Sequence, residues 1–151
     1  MRRREFIALL GSATAWPISL RAQQQMPAIG FLHSASAEPT ADMVKAFRKG
    51  LFDVGFVEGQ NLTIEFRWAN NQSDQLPELA ADLVHHNVKV IATPGSTPAA
   101  LAAQATTRTI PIVFATGADP VGVGLVASLN HPGSNITGIG FETCRNHRKS
   151  I

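Results

Sequence analysis

The sequence predicts an α/β fold built on a mostly parallel sheet in which each strand is followed by a helix or a helix-length connection. Three observations carry this expectation. Short apolar runs recur between segments with helical spacing of apolar residues, and Gly- or Pro-containing turns separate them. The second run alternates strictly between apolar and polar residues, whereas the third and fourth are almost continuously apolar. That contrast separates a strand near the sheet edge from strands buried on both faces.

The elements follow in order. Residues 28–32 form a short apolar strand, and 33–39 a polar loop. A helix spans about 40–54, with Met43, Phe47, Leu51 and Val54 on one stripe, and Gly55 ends it. Residues 58–61 are a turn. The second strand, 62–68, places Leu62, Ile64, Phe66 and Trp68 on one face and Thr63, Glu65 and Arg67 on the other. Ser73 or Asp74 caps a helix running to about His86, with Pro77 tolerated in its first turn. Its apolar positions are Leu76, Leu79, Ala80, Leu83 and Val84.

The third strand is 88–93, and 94–97 opens an Ala-rich helix to about Thr106. The fourth strand is 110–115. Residues 116–120 then lead into a short helix near 125–129, 131–134 form a turn, and 136–141 is the fifth strand. Right-handed crossovers between these strands give the order 2-1-3-4-5 in a single Rossmann-like lobe. The order reverses between strands 1 and 3, and small ligands bind at the carboxyl ends of strands at such a point.

With 44% apolar and 16% charged residues, the chain has the composition of a folded protein with a hydrophobic core. Its formal charge of +2 is misleading, because basic residues cluster at both ends. Residues 23–143 carry six Lys and Arg against ten Asp and Glu, so the body is mildly acidic and does not fit a nucleic-acid partner. The single cysteine, Cys144, allows neither an internal disulfide nor a Cys-rich metal site.

Residues 1–22 have the layout of an export signal. Arg2, Arg3 and Arg4 precede an apolar stretch from Phe6 to Leu20 that is short for a membrane-spanning helix, and Ala22 supplies the small residue before cleavage. The run Arg3-Arg4-Glu5-Phe6-Ile7 is twin-arginine-like. Cleavage near Ala22 and a periplasmic location are expected; an uncleaved anchor is the alternative.

Three loops converge on the carboxyl edge of the sheet. They carry Ser34 and Ser36, then Gly95-Ser96-Thr97, then Thr116 and Asp119. Gly95 allows close backbone approach, and the following helix N-terminus favours an anion. Hydroxyls add directional donors without a full charge, and Asp119 can hold an ammonium group. The set suits a zwitterionic or carboxylated small molecule. The alternative for Ser96, Thr97 and Asp119 is that they only cap helices.

His85 and His86 end a helix and His131 lies in a turn; His33, placed in a loop, reads as polar surface, with contact to a ligand as the alternative, and none has metal-ligand spacing. Gly122-Val123-Gly124-Leu125-Val126-Ala127 matches a dinucleotide fingerprint, with Glu142 20 residues after Gly122, but it begins several residues past a strand end. There is no nucleophile–base or carboxylate pair at diagnostic spacing, so neither catalysis nor a cofactor or metal is expected.

Ordered runs extend the reading to a family. They are RRREFIALLG at 2–11, AWP at 15–17, RAQQ at 21–24, IGFLH at 29–33, GFVEGQN at 55–61, IEFRW at 64–68, LAADLV at 79–84, TPAA at 97–100 and IPIVF at 110–114. The chain resembles the ABC-transporter substrate-binding proteins of the tryptophan/tyrosine-binding type. The resemblance implies a type-I periplasmic-binding fold, in which two lobes close around a solute for delivery to an ABC permease in the inner membrane. It implies an amino acid or similar small carboxylate as ligand, with Ser96, Thr97 and Thr116 on its carboxylate and amine. Members of the family are long enough for two lobes. Here residues 23–141 read as the first lobe and 142–151 as an aberrant basic tail, so a truncated, impaired copy is expected. A periplasmic sensory or adaptor module of the same fold is one alternative, and a nucleotide-binding enzyme fragment built on Gly122–Ala127 is another.

Overall fold

Apolar alternation and right-handed crossover geometry together dictate where each helix can pack. The structure, a computed structural model, describes residues 26–141. The export signal at 1–22 and the basic tail at 142–151 lie outside the described residues. Strands β1 (Ala28–His33), β2 (Thr63–Trp68), β3 (Val90–Pro94), β4 (Ile112–Thr116) and β5 (Ile136–Gly140) form one parallel sheet. Its order is β2-β1-β3-β4-β5, as the sequence predicts. Helices α1 (Ala41–Asp53), α2 (Leu76–His85) and α3 (Thr97–Thr106) connect the first four strands.

The sheet order has a geometric consequence. The step from β1 to β2 runs in one direction across the sheet, and every later step runs in the other. Right-handed crossovers therefore place α1 on one face and α2, α3 and the β4–β5 connection on the opposite face. Two separate apolar clusters follow. In one, Phe31, Val44, Leu62 and Ile64 pack with Phe47, Phe66 and Trp68. The other joins Leu32, Leu83, Ile91, Ala99, Ala103, Ile112, Phe114, Leu125 and Ile136. Among the described residues, α1 covers β1 and β2, while Val113 and Ile139 on β4 and β5 stay exposed.

Small residues let the larger cluster close up. Ala99, Ala100 and Ala103 have no exposure, so α3 lies directly on the sheet. Gly30 serves α2 in the same way, because a Cβ there would stand 2.9 Å from Leu83 Cδ1. At the edge, Arg67 Nε donates to the Asp82 carboxylate at 2.6 Å and ties β2 to α2. This bond holds the Asp82 carboxyl below its ordinary range.

Two local expectations are corrected. Residues 125–129 form no helix. Instead Val123 N–H donates to Asp119 C=O, Leu125 N–H donates to Pro120 C=O, and Gly124 has φ +78°. Pro120 and the left-handed Gly124 turn the chain sharply, so Leu125 and Val126 enter the core from turns. At the start of α2, neither Ser73 nor Asp74 supplies a side-chain cap. Residues Ser73–Gln75 form a single 3₁₀ turn, and α2 begins at Leu76 with Pro77 in its first turn.

Candidate ligand-binding site

The carboxyl ends of β1, β3 and β4 bring three loops to one edge. β1 pairs with both β2 and β3, and the connections leaving β1 and β3 pass to opposite faces, so the order reverses between them. Gly95, at φ +71°, turns the chain from β3 into α3, and its N–H donates to Ala115 C=O at 2.7 Å. After β2, Asn70 and Asn71 both adopt positive φ, 50° and 65°. That left-handed pair turns Asn71 N–H back onto Ser34 C=O at 2.7 Å.

The predicted residues fall into two hydroxyl pairs and two outliers. Ser96 Oγ accepts from Ser34 N–H at 3.3 Å and from Ala99 N–H at 3.3 Å, and donates to Ser34 Oγ at 2.9 Å. Its hydroxyl is fully used and its residue buried. Ser96 thus caps α3 and fastens the β1 loop, and the proton still free to donate belongs to Ser34. Thr97 Oγ1 and Thr116 Oγ1 bond one another, and Thr116 Oγ1 also accepts from Ala118 N–H at 3.1 Å. One proton of that pair remains available.

Ser36 and Asp119 stand apart from these pairs. The Ser36 carbonyl accepts from Thr40 O–H at 2.9 Å, at the entry to α1. Asp119 Oδ1 accepts from Val121 N–H at 3.1 Å and closes the turn after β4. Both remain at the carboxyl edge. The loops 33–40, 69–75, 94–97 and 116–121 contain Glu38, Asp74 and Asp119 and no Lys or Arg. The edge therefore attracts a cationic group and meets an anion with neutral donors only.

His33 is not surface. Strand β1 extends one residue further than the apolar run suggests, and His33 takes the same face as Ile29 and Phe31, with 6% exposure. Period-2 alternation from those residues is the signal that locates it. Its Nδ1 accepts from Ala35 N–H at 3.0 Å, so its proton sits on Nε2. Among the described residues, Nε2 is buried without a partner.

Burial pushes the His33 pKa down from 6.5. Below pH 6.5 the unfolded chain therefore takes up a proton that the native imidazole resists. The stability contributed by neutral His33 is complete above that pH and is lost as pH falls towards the depressed native value. Thermal melts above and below pH 6.5 are expected to show this loss in the wild type, and His33→Gln is expected to flatten it.

Gly122–Ala127 lies in the turns between β4 and β5, and no helix follows it among the described residues. Its glycines therefore do not present a helix N-terminus to a pyrophosphate. His86 bonds back to Asp82 C=O at 2.8 Å, at the carboxyl end of α2. Among the described residues, no three His, Cys, Asp or Glu come together in a group that could hold a metal ion.

A parallel sheet in this order with paired hydroxyls at its switch point defines a doubly wound α/β domain with a candidate small-ligand edge. The chain belongs to the ABC transporter substrate binding protein family, whose model matches residues 29–149. A tyrosine-binding protein of Clostridioides difficile is 39% identical over 101 residues, which make up 66% of this chain and 29% of that protein. A ligand-free, open substrate-binding protein with adhesive properties from Clostridium difficile superimposes with TM-score 0.68 at 32% identity, covering 76% of this chain and 38% of that one. A domain from Streptococcus pneumonia in complex with L-Trp gives TM-score 0.68 at 28% identity, again covering 76% and 38%. The chain thus spans between a quarter and two fifths of the length of these relatives.

Proposed function

We propose that this chain is the first ligand-binding lobe of a solute receptor for an ABC uptake transporter, and that its ligand is an aromatic amino acid such as L-tyrosine or L-tryptophan. The observation that carries the reading is the convergence of Ser34–Ser96 and Thr97–Thr116 on the switch point of the sheet. Neutral donors suit a carboxylate that must later be released, and the acidic edge suits the ammonium group of the same molecule. The relatives that bind tyrosine and L-Trp support this ligand class.

In this reading, residues 1–22 direct export to the periplasm, residues 23–141 are one wall of the cleft, and an inner-membrane permease receives the solute. The protein binds and releases its ligand without covalent chemistry or cofactor. A second lobe normally closes over the ligand and adds contacts from the other side. The described lobe supplies one side of those contacts.

The test is a titration of the ¹⁵N-labelled chain with L-tyrosine and L-tryptophan at millimolar concentration. Saturable shifts of the Ser34, Thr97 and Thr116 amides are expected. A spectrum unmoved by either amino acid would overturn the proposal.

A further inference from the structure

This inference rests on the reading above and concerns how the lobe takes hold of the carboxylate. The α3 N-terminus offers few donors. Pro98 has no N–H, Ser96 Oγ occupies Ala99 N–H, and Ala100 N–H donates to Ser96 C=O. Of the first-turn groups, only Thr97 N–H remains free of these bonds. A carboxylate has two oxygens and needs more than this one backbone donor.

The further donor stands beside the same turn. His33 Nε2 carries a proton, is buried, and has no partner among the described residues. It lies 3.8 Å from the point where a Cβ would project from Gly95, the residue that leads into α3. Gly95 is itself exposed to solvent. The space over Gly95 is taken by the Met43 thioether from α1, whose Cε stands 2.6 Å from that same Cβ point. Methionine is unbranched and rotates readily, so it is a cover that can swing away. A buried N–H under a flexible side chain, next to a helix N-terminus, is a donor held in reserve.

We propose that His33 donates its Nε2–H to the carboxylate of the bound amino acid, and that Met43 is the side chain the ligand displaces to reach it. The neutral imidazole adds a directed donor to an edge whose loops contain no Lys or Arg. The carboxylate is gripped by dipoles alone and leaves without breaking an ion pair. Gly95 is required by its left-handed φ, and a Cβ there would also crowd the space that Met43 occupies.

The experiment uses the full chain with ¹⁵N-labelled histidine. On titration with L-tyrosine, the His33 Nε2–H resonance is expected to move downfield and become protected from solvent exchange. Tyramine, which lacks the carboxylate, is expected to leave it in place. His33→Phe should weaken L-tyrosine binding about 10- to 100-fold, the range for losing one hydrogen bond to a charged group. His33→Gln, which restores an N–H at the end of a neutral side chain, should recover most of that loss. Met43→Ala, with the cover removed, should bind L-tyrosine a few-fold more tightly.

A His33 signal that stays still while the Ser34 and Thr97 amides saturate would overturn the role of His33. Weaker binding by Met43→Ala would overturn the displacement. A wild-type chain that does not respond to L-tyrosine at all would overturn the proposed function itself, so the two failures are distinct.

Discussion

Replacement of Leu83 by Ala is expected to lower the unfolding free energy by about 2–5 kcal/mol, read from the midpoint of a urea titration. Leu83 has no exposure and sits at the centre of the larger cluster. Its Cδ1 and Cδ2 lie against Gly30, which has no side chain to fill the space left behind. Neighbouring side chains such as Leu32 and Ala80 are already packed in the cluster, so the space closes only in part. The cost therefore falls in the upper part of the range, where a cavity adds to the lost transfer energy. A loss below 1 kcal/mol would show that α2 is free to shift towards the sheet.

Ser96→Ala is expected to disturb both stability and binding, although the Ser96 hydroxyl has no valence left for a ligand. The variant removes the α3 cap, worth about 1 kcal/mol. It also leaves Ser34 N–H without its acceptor and Ser34 Oγ without its donor. The β1 loop then loses its fastening to α3, and the Ser34 hydroxyl loses its fixed direction. L-tyrosine binding should fall together with the melting temperature. Thr97→Val gives the contrast: it removes a hydroxyl of the second pair and leaves the cap intact. It should weaken binding with a much smaller effect on melting. Equal melting losses in the two variants would contradict this division.

The sheet order was legible because burial leaves different periodicities in different strands. β2 alternates because one face carries Arg67 and Glu65 towards Asp82, whereas β3 and β4 are packed under α2 and α3 on one face only, and Val113 on the other face of β4 is exposed despite its apolar run. The β4–β5 connection was not legible in the same way. Residues 125–129 are mostly apolar, yet only Leu125 and Val126 are buried, delivered by turns set by Pro120 and Gly124, while Leu129 is exposed. Apolar content alone does not settle burial here, because backbone geometry decides which of these side chains reach the core.

At the site, the sequence located the loops but not the division of labour within them. Capping and ligand contact read as alternatives for Ser96, and a single hydroxyl bonded to both α3 and the β1 loop is not visible in spacing. For Asp119 the turn-closing bond is local, and sequence proximity to Val121 already contains it. His33 was hidden by one residue of strand length. A loop residue at that point faces solvent, whereas the last residue of a strand inherits the face of Phe31. The left-handed turn at Asn70 and Asn71 was not read from the sequence, and its reach back to Ser34 depends on the sheet register.

The uneven covering of the sheet also sets a gradient of mechanical firmness along its carboxyl edge. β1 and β3 are flanked by strands on both sides, and β1 is enclosed by α1 and α2, so their amides should exchange only in wide opening events. β5 has one neighbour and is exposed along four of its five residues, so it should fray locally and loosen β4 with it. Ser34 and Ser96 are therefore anchored in stiff ground, while Thr116 ends the strand next to the yielding one. If the proposed function holds, a solute between them meets one fixed jaw and one that adapts to its size.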